Sequence, residues 1–391
     1  MNRSLDVSFQ ETYIEQIVSD ELYPYLKSFF CILTLIFSVS AVCFNAINVF
    51  IFCKIGVTDS ITVCFLHLAV CDFCTMVCLS VFTFFTLLYA LSAPGSKYLS
   101  TQAYAISITY SLGLDIGATT TTYIALQRGL CVAWPFLTRH AFTRNRSLIV
   151  LITTTVFLVA CWIPRAFTFR YVEISDPKSN SSKILIVEFF GLFNEFYSFN
   201  LIFVKIILGF TQYAIMSVCA VAIFIGMKSS IRLKSFSKSG APDPHNSRSN
   251  QKSLDKTDMN EKKVAGHEKT EEDSSNVNSE AKMEKDKKAP QKELLVIKQA
   301  LTVVLLQIFC ATPGITVFIY SMLDPKFQIG TEYNNLFFLV YGVVDMSYAL
   351  NAFTNFFIYL NFNTKFRQCL HSVFHCGTGI TNRPMSKRSR N

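Results

Sequence analysis

The sequence is short of charge. Only 16% of its 391 residues are Asp, Glu, Lys or Arg, against about 25% in ordinary soluble domains. The shortage is uneven, because 27 of the 63 formal charges lie between Lys228 and Glu293. Long stretches elsewhere carry none. No single soluble core could hide that much continuous apolar sequence, so a soluble enzyme is excluded, as are a disordered chain, a collagen-like fibre and a disulfide scaffold. Alternating apolar and polar residues over strand-length segments are also missing, which argues against a transmembrane barrel. There is no phosphate-binding loop, no cluster of metal ligands and no nucleophile beside a base. No enzymatic activity, cofactor, metal or nucleic-acid partner is therefore expected.

What the chain does have is apolar length: 51% of it is hydrophobic, including 37 Phe. A bilayer core of about 30 Å needs about 20 apolar residues in a helix. Seven segments meet that length: Ser28 to Cys53, Ser60 to Ser96, Tyr98 to Gln127, Ser147 to Pro164, Ile206 to Met227 (extending upstream past Lys205), Gln299 to Leu323 and Tyr333 to Thr364. Backbone groups in hydrocarbon must satisfy one another, so each segment is predicted as a helix. The expected fold is an all-α membrane protein, a seven-transmembrane helix bundle with a short amphipathic eighth helix. Its parts are an extracellular N-terminus (1–27), helices one to five (28–227), a disordered inner loop (228–293), helices six and seven (294–361) and a helix with a cytoplasmic tail (362–391).

Residues 1–27 hold five acids and no apolar run. No cleavable signal peptide is expected, and the first span serves as its own insertion signal. With the N-terminus outside, 27 Lys and Arg fall inside and 8 outside; without the long inner loop the bias is 11 to 8. Asn2 and Asn180 begin glycosylation sequons that would then face outside, while the sequon at Asn145 would face inside. None of the 13 Cys lies in an outer loop, so no extracellular disulfide is expected.

Residues 228–293 are rich in Lys, Glu, Asp, Ser and Asn, and cannot bury enough surface to fold alone. They read as a tether with topology-setting charges, and equally as a segment for partner docking and phosphorylation around Ser235 and Ser237. Beyond Tyr359, residues Phe362, Phe366, Cys369 and Val373 share one helical face. This fits a helix lying in the inner interface against membrane lipid. Cys369 and Cys376 could carry palmitate there or stay free thiols.

Three acids interrupt the apolar runs: Asp72, Asp115 and Asp345. Each costs about 2.5–3.5 kcal/mol at a helix centre, so each must face the bundle interior or a water-filled cavity. Each could bridge helices by hydrogen bonds, bind an ion or ligand, or act as a switch. Asp345, Tyr348, Asn351, Asn355 and Tyr359 recur every three or four residues and form one polar stripe. Arg128 ends the third span. Pro313 sits within the sixth, where its ring removes a hydrogen bond and bends the helix.

These marks, in this order over residues 28–370, resemble the rhodopsin-like G-protein-coupled receptors. Asn45 is similar to the family's first-helix Asn, and Leu68-Ala69-Val70-Cys71-Asp72 to its Leu-Ala-x-x-Asp. Gln127-Arg128-Gly129, with Pro135 following, resembles Asp-Arg-Tyr. Cys310-Ala311-Thr312-Pro313 resembles Cys-Trp-x-Pro, and Asn355-Phe356-Phe357-Ile358-Tyr359 resembles Asn-Pro-x-x-Tyr. Phe366 matches the aromatic of the family's eighth helix. The chain also departs from the pattern. Gln127 cannot form the Asp–Arg ion pair, which leaves room for basal activity. Ala311 replaces the aromatic toggle, and Ala103 stands where a disulfide cysteine is expected. Tyr110 takes the place of the amine receptors' Asp, which argues against a biogenic-amine ligand. Gly117 replaces a Ser of the family's sodium site.

The resemblance implies a plasma-membrane receptor whose extracellular small-molecule or peptide ligand contacts Tyr110, Ser111, Asp345 and Tyr348, with Lys205 as a further contact. Arg128, Pro313, Asn355 and Tyr359 would carry the switch to a heterotrimeric G protein. Asp72, Asn351 and Asn355 would form a sodium-like site, and a receptor kinase and arrestin would be further partners. The residues around Arg128 are most similar to the chemosensory receptors of gastropod molluscs and also to invertebrate neuropeptide receptors. A seven-helix transporter or ligand-gated channel is the alternative from another class.

Overall fold

The computed structural model describes residues 18–91, 97–134, 138, 140–166, 169–175, 183–189, 199–239, 272–327 and 331–375. Seven long helices follow one another as a bundle: α1 (Tyr23–Ile55), α2 (Ser60–Leu91), α3 (Lys97–Ala133), α4 (Arg144–Ala166), α5 (Gly209–Ser239, preceded by a π-helical stretch Asn200–Leu208), α6 (Glu272–Leu323) and α7 (Asn334–Phe362). A short helix α8 (Thr364–His375) follows. The end of the bundle where the chain begins is called upper here, and the end carrying α8 lower.

Six of the seven are long and apolar enough to cross a bilayer on composition alone. The seventh, α3, is diluted by Thr and Gly, and it packs against α2, α4, α5 and α6. A helix surrounded by others needs no apolar face for lipid. The lipid-facing helices show the reverse, with large exposed side chains such as Ile149, Val156, Val218, Phe309 and Leu323. In water that belt would be an aggregation surface; in hydrocarbon it is solvated. Helix association in lipid relies on close packing of small residues. Accordingly, a Cβ added to Gly129 of α3 would stand 3.1 Å from the Cys219 sulfur of α5.

Two features depart from the sequence expectation. Residues Phe169–Ser175 (β1) and Lys183–Phe189 (β2) form an antiparallel hairpin between α4 and α5, pairing Phe169 with Phe189 and Ser175 with Lys183. The count of membrane spans gave no sign of it. Also, α5 runs on to Ser239 and α6 begins at Glu272, inside the stretch expected to be disordered. Once a span has nucleated a helix, adding residues is far easier than starting one. The Lys-, Glu- and Ala-rich sequence favours that propagation. Asn2, Asn180 and Cys376 lie outside the described residues.

Candidate functional site

In the upper half, Asp345 of α7 meets Tyr110 of α3, whose hydroxyl donates to the carboxylate at 3.0 Å across 235 residues of sequence. Tyr110 is buried, while Ser111, Asp345 and Tyr348 are each half-buried. Tyr348 lies one turn below Asp345. Its hydroxyl oxygen is 2.8 Å from where a Cβ on Gly314 would stand. Glycine at that position lets α7 approach α6 beside Pro313. Three of the expected ligand contacts thus share one region with the expected hinge.

A second acid lies about 7.5 Å deeper along α3, five residues on at 1.5 Å each. Asp115 accepts 2.7 Å from Lys205 and 3.0 Å from the Trp162 indole. The Lys205 ammonium also sits 5.1 Å from the centre of the Trp162 ring. Lys205 is carried by the π-helical stretch, whose wider turn re-aims side chains relative to an α-helix. Sequence reading placed an acid in the third span and a lysine near the fifth without joining them. Comparing their depths would have been the available signal. Trp162, Gln212 (donating to Thr119 at 2.7 Å) and Gln307 were not singled out in the sequence.

Lower down, Asp72 of α2 accepts 2.8 Å from Asn355 of α7. A Cβ on Gly117 would stand 3.8 Å from the same carboxylate, so at this position α3 offers the acid no side chain. Asn351 is not brought to Asp72; its amide donates 2.7 Å to Gln307 of α6. The polar stripe of α7 therefore divides its bonds among α2, α3 and α6. Asn45 ties α1 to α7 through the Ala352 carbonyl at 3.1 Å.

At the lower end, Gln127 points away from its neighbour Arg128. It donates 2.8 Å to Ser60 of α2. Ser60 in turn bonds Ser147 of α4, which lies 2.9 Å from the Tyr123 hydroxyl. Arg128 is half-buried beside this network, and its charge acts on Asp59 just before α2. Tyr359 and Phe366, both fully buried, pack edge-on and tilted against Phe52 at 5.1 and 5.5 Å between centroids. Cys369 packs half-buried against that aromatic cluster. Among the described residues no group of His, Cys, Asp and Glu is arranged to hold a metal.

Seven long helices thus form the bundle, and the sequence comparison gives its family. Residues 44–359 match the family model described as 7 transmembrane receptor (rhodopsin family). The match spans most of the chain, and the protein belongs to that family as a multi-pass membrane protein. A search of the curated proteins finds no significant match.

Proposed function

We propose that the chain is a plasma-membrane receptor with its upper end and N-terminus extracellular, gated by a chemosensory ligand and coupled to a heterotrimeric G protein. The observation that carries this reading is the hydrogen bond from Tyr110 to Asp345. It gathers contacts from α3 and α7 into one site, one helical turn above a tyrosine that touches α6 next to Pro313. A ligand seated on Tyr110, Ser111, Asp345 and Tyr348 bears on α6 through Gly314. It thereby favours the arrangement in which the lower end of α6 swings outward at Pro313. That movement opens a cleft beside Arg128, Asn355 and Tyr359 for the G protein. The segment between α5 and α6 is where receptor kinase and arrestin would act, Asn2 and Asn180 would carry glycans, and Cys369 and Cys376 would be the lipidation sites.

For the sodium-like site, Asp72 and Asn355 supply the protein oxygens. The Asn355 Oδ1 atom is buried and has no hydrogen-bond partner among the described residues, so it fits as a donor to a small cation. The Asn351 amide nitrogen is bonded to Gln307, and its Oδ1 would be the atom it offers to the cation.

The test is expression with a G-protein reporter and application of water-borne odorants and peptides. A response that Arg128→Ala abolishes while surface expression persists is expected. Coupling retained in that variant overturns the mechanism. A response confined to peptides replaces the chemosensory reading with the neuropeptide one.

A further inference from the structure

The three intramembrane acids are not equally compensated. Asp115 has an ammonium at 2.7 Å and an indole donor. Asp72 has a primary amide. Asp345 receives one hydrogen bond, from a phenol, and has no ion pair among the described residues. Two described cations of this half of the bundle are engaged elsewhere. Lys205 is bound to Asp115, and Lys27 of α1 lies over the rings of Tyr23 and Phe338, 5.4 Å from each centre. A carboxylate held in a low-dielectric interior by one neutral donor is strongly unfavourable unless a positive charge joins it or it takes up a proton.

We infer that Asp345, walled by Tyr110 and Tyr348, is the anchor for an organic cation, an ammonium or guanidinium group on the ligand. Tyr110 stands where an acid would identify an amine receptor, yet its hydroxyl reaches an acid contributed by α7. The carboxylate is present in the site, moved from one helix to another. An organic cation fits better than a metal ion. One carboxylate and two phenols are too few oxygens for a hard cation, whereas tyrosine rings attract alkylammonium and guanidinium groups. Ser111, Asp345 and Tyr348 are each only partly covered by their neighbours. The inference deepens the receptor reading and rests on it only for the claim that the cation is a signal.

The charge preference can be measured without knowing the ligand. Full-length protein in lipid nanodiscs carries Ser111→Cys, with the parent chain and its native thiols as baseline. The added thiol is labelled with two methanethiosulfonates of similar size, one bearing a trimethylammonium group and one a sulfonate. A site that concentrates cations should favour the trimethylammonium reagent by about tenfold or more relative to a free thiol. Asp345→Asn should remove most of that preference and Asp345→Glu should retain it. The glutamate variant guards against loss of fold in the asparagine variant. Phenethylamine should slow the labelling, while phenethyl alcohol and sodium chloride at the same concentration should not.

A preference untouched by Asp345→Asn means the carboxyl is protonated in the native state, and overturns the inference. Equal protection by the alcohol and the amine also overturns it, and protection by sodium assigns the site to a metal ion instead. Guanine-nucleotide exchange on added G protein in the same nanodiscs keeps the two ideas apart. Exchange without charge preference removes the cation site alone. Charge preference without exchange under any condition removes the receptor role alone.

Discussion

At the lower end of the bundle, Phe366 is enclosed by Phe52, Phe356 and Tyr359, with ring centres 5.5 to 6.1 Å away. In the upper half, α3 meets its neighbours through the Asp115–Lys205 ion pair and the Tyr110–Asp345 bond. The contacts around Phe366 are short-ranged and apolar. They lose packing as soon as one ring moves, so they fix the register of α1, α7 and α8. These two α3 contacts are polar, and an incoming polar group can replace them one for one. The proposed mechanism would use that asymmetry: a site whose bonds can be exchanged for those of a ligand, joined to an end that would hold its shape until α6 moves.

The largest expected effect lies at the lower end. Phe366→Ala should cost about 3–5 kcal/mol through lost contacts and the cavity left behind. A purified variant should unfold at a markedly lower temperature. A near-normal midpoint would mean that α8 is only loosely docked and the comparison fails.

The ion pair comes next. Its side chains are 30% and 18% exposed, so removing one partner should cost less than the value for fully buried pairs, about 1–2 kcal/mol. Asp115→Asn should show that loss, and adding Lys205→Met should recover most of it, because the uncompensated ammonium is then gone. A double-mutant cycle with strictly additive losses would show that the pair is not coupled.

The smallest effect belongs to Asp59 at the lower rim, 3.7 Å from Lys365 of α8. Burial by itself would raise this carboxyl. The Thr62 amide and hydroxyl, with the charges of Lys365 and Arg128, outweigh it and hold the group below its ordinary 3.8. A lowered native pKa gives stability that is full above the ordinary value and lost as pH falls through the native one. The native protein should therefore lose more of its thermal midpoint between pH 5 and pH 3 than Asp59→Asn does. Both side chains are well exposed, so Lys365→Ala should cost at most about 0.5 kcal/mol. A larger drop would place more of the lower end's stability in charge than the aromatic cluster leaves room for.

Much of this architecture follows from partition into lipid. A run of about 20 apolar residues has to be a helix in a bilayer, because no other backbone arrangement satisfies its own hydrogen bonds there. That argument places the spans and points to α3 as a helix despite its polar residues. It also puts Asp345, Tyr348, Asn351, Asn355 and Tyr359 on one face, since helical period alone decides that. Period and depth do not say which neighbour each polar side chain meets. That Asp345 reaches Tyr110, that Asp115 takes Lys205 and Trp162, that Asn351 turns to Gln307 and that Gln127 bonds Ser60 instead of facing Arg128 all depend on how far each helix is rotated about its axis. Rotation is set by packing among helices distant in sequence, and by local events such as the π-helical stretch that carries Lys205. The sequence by itself determined a membrane bundle with three acids in its interior. Only the tertiary structure decided which of those acids is matched by a positive charge and which meets neutral donors among the described residues, because matching requires two helices to be brought face to face.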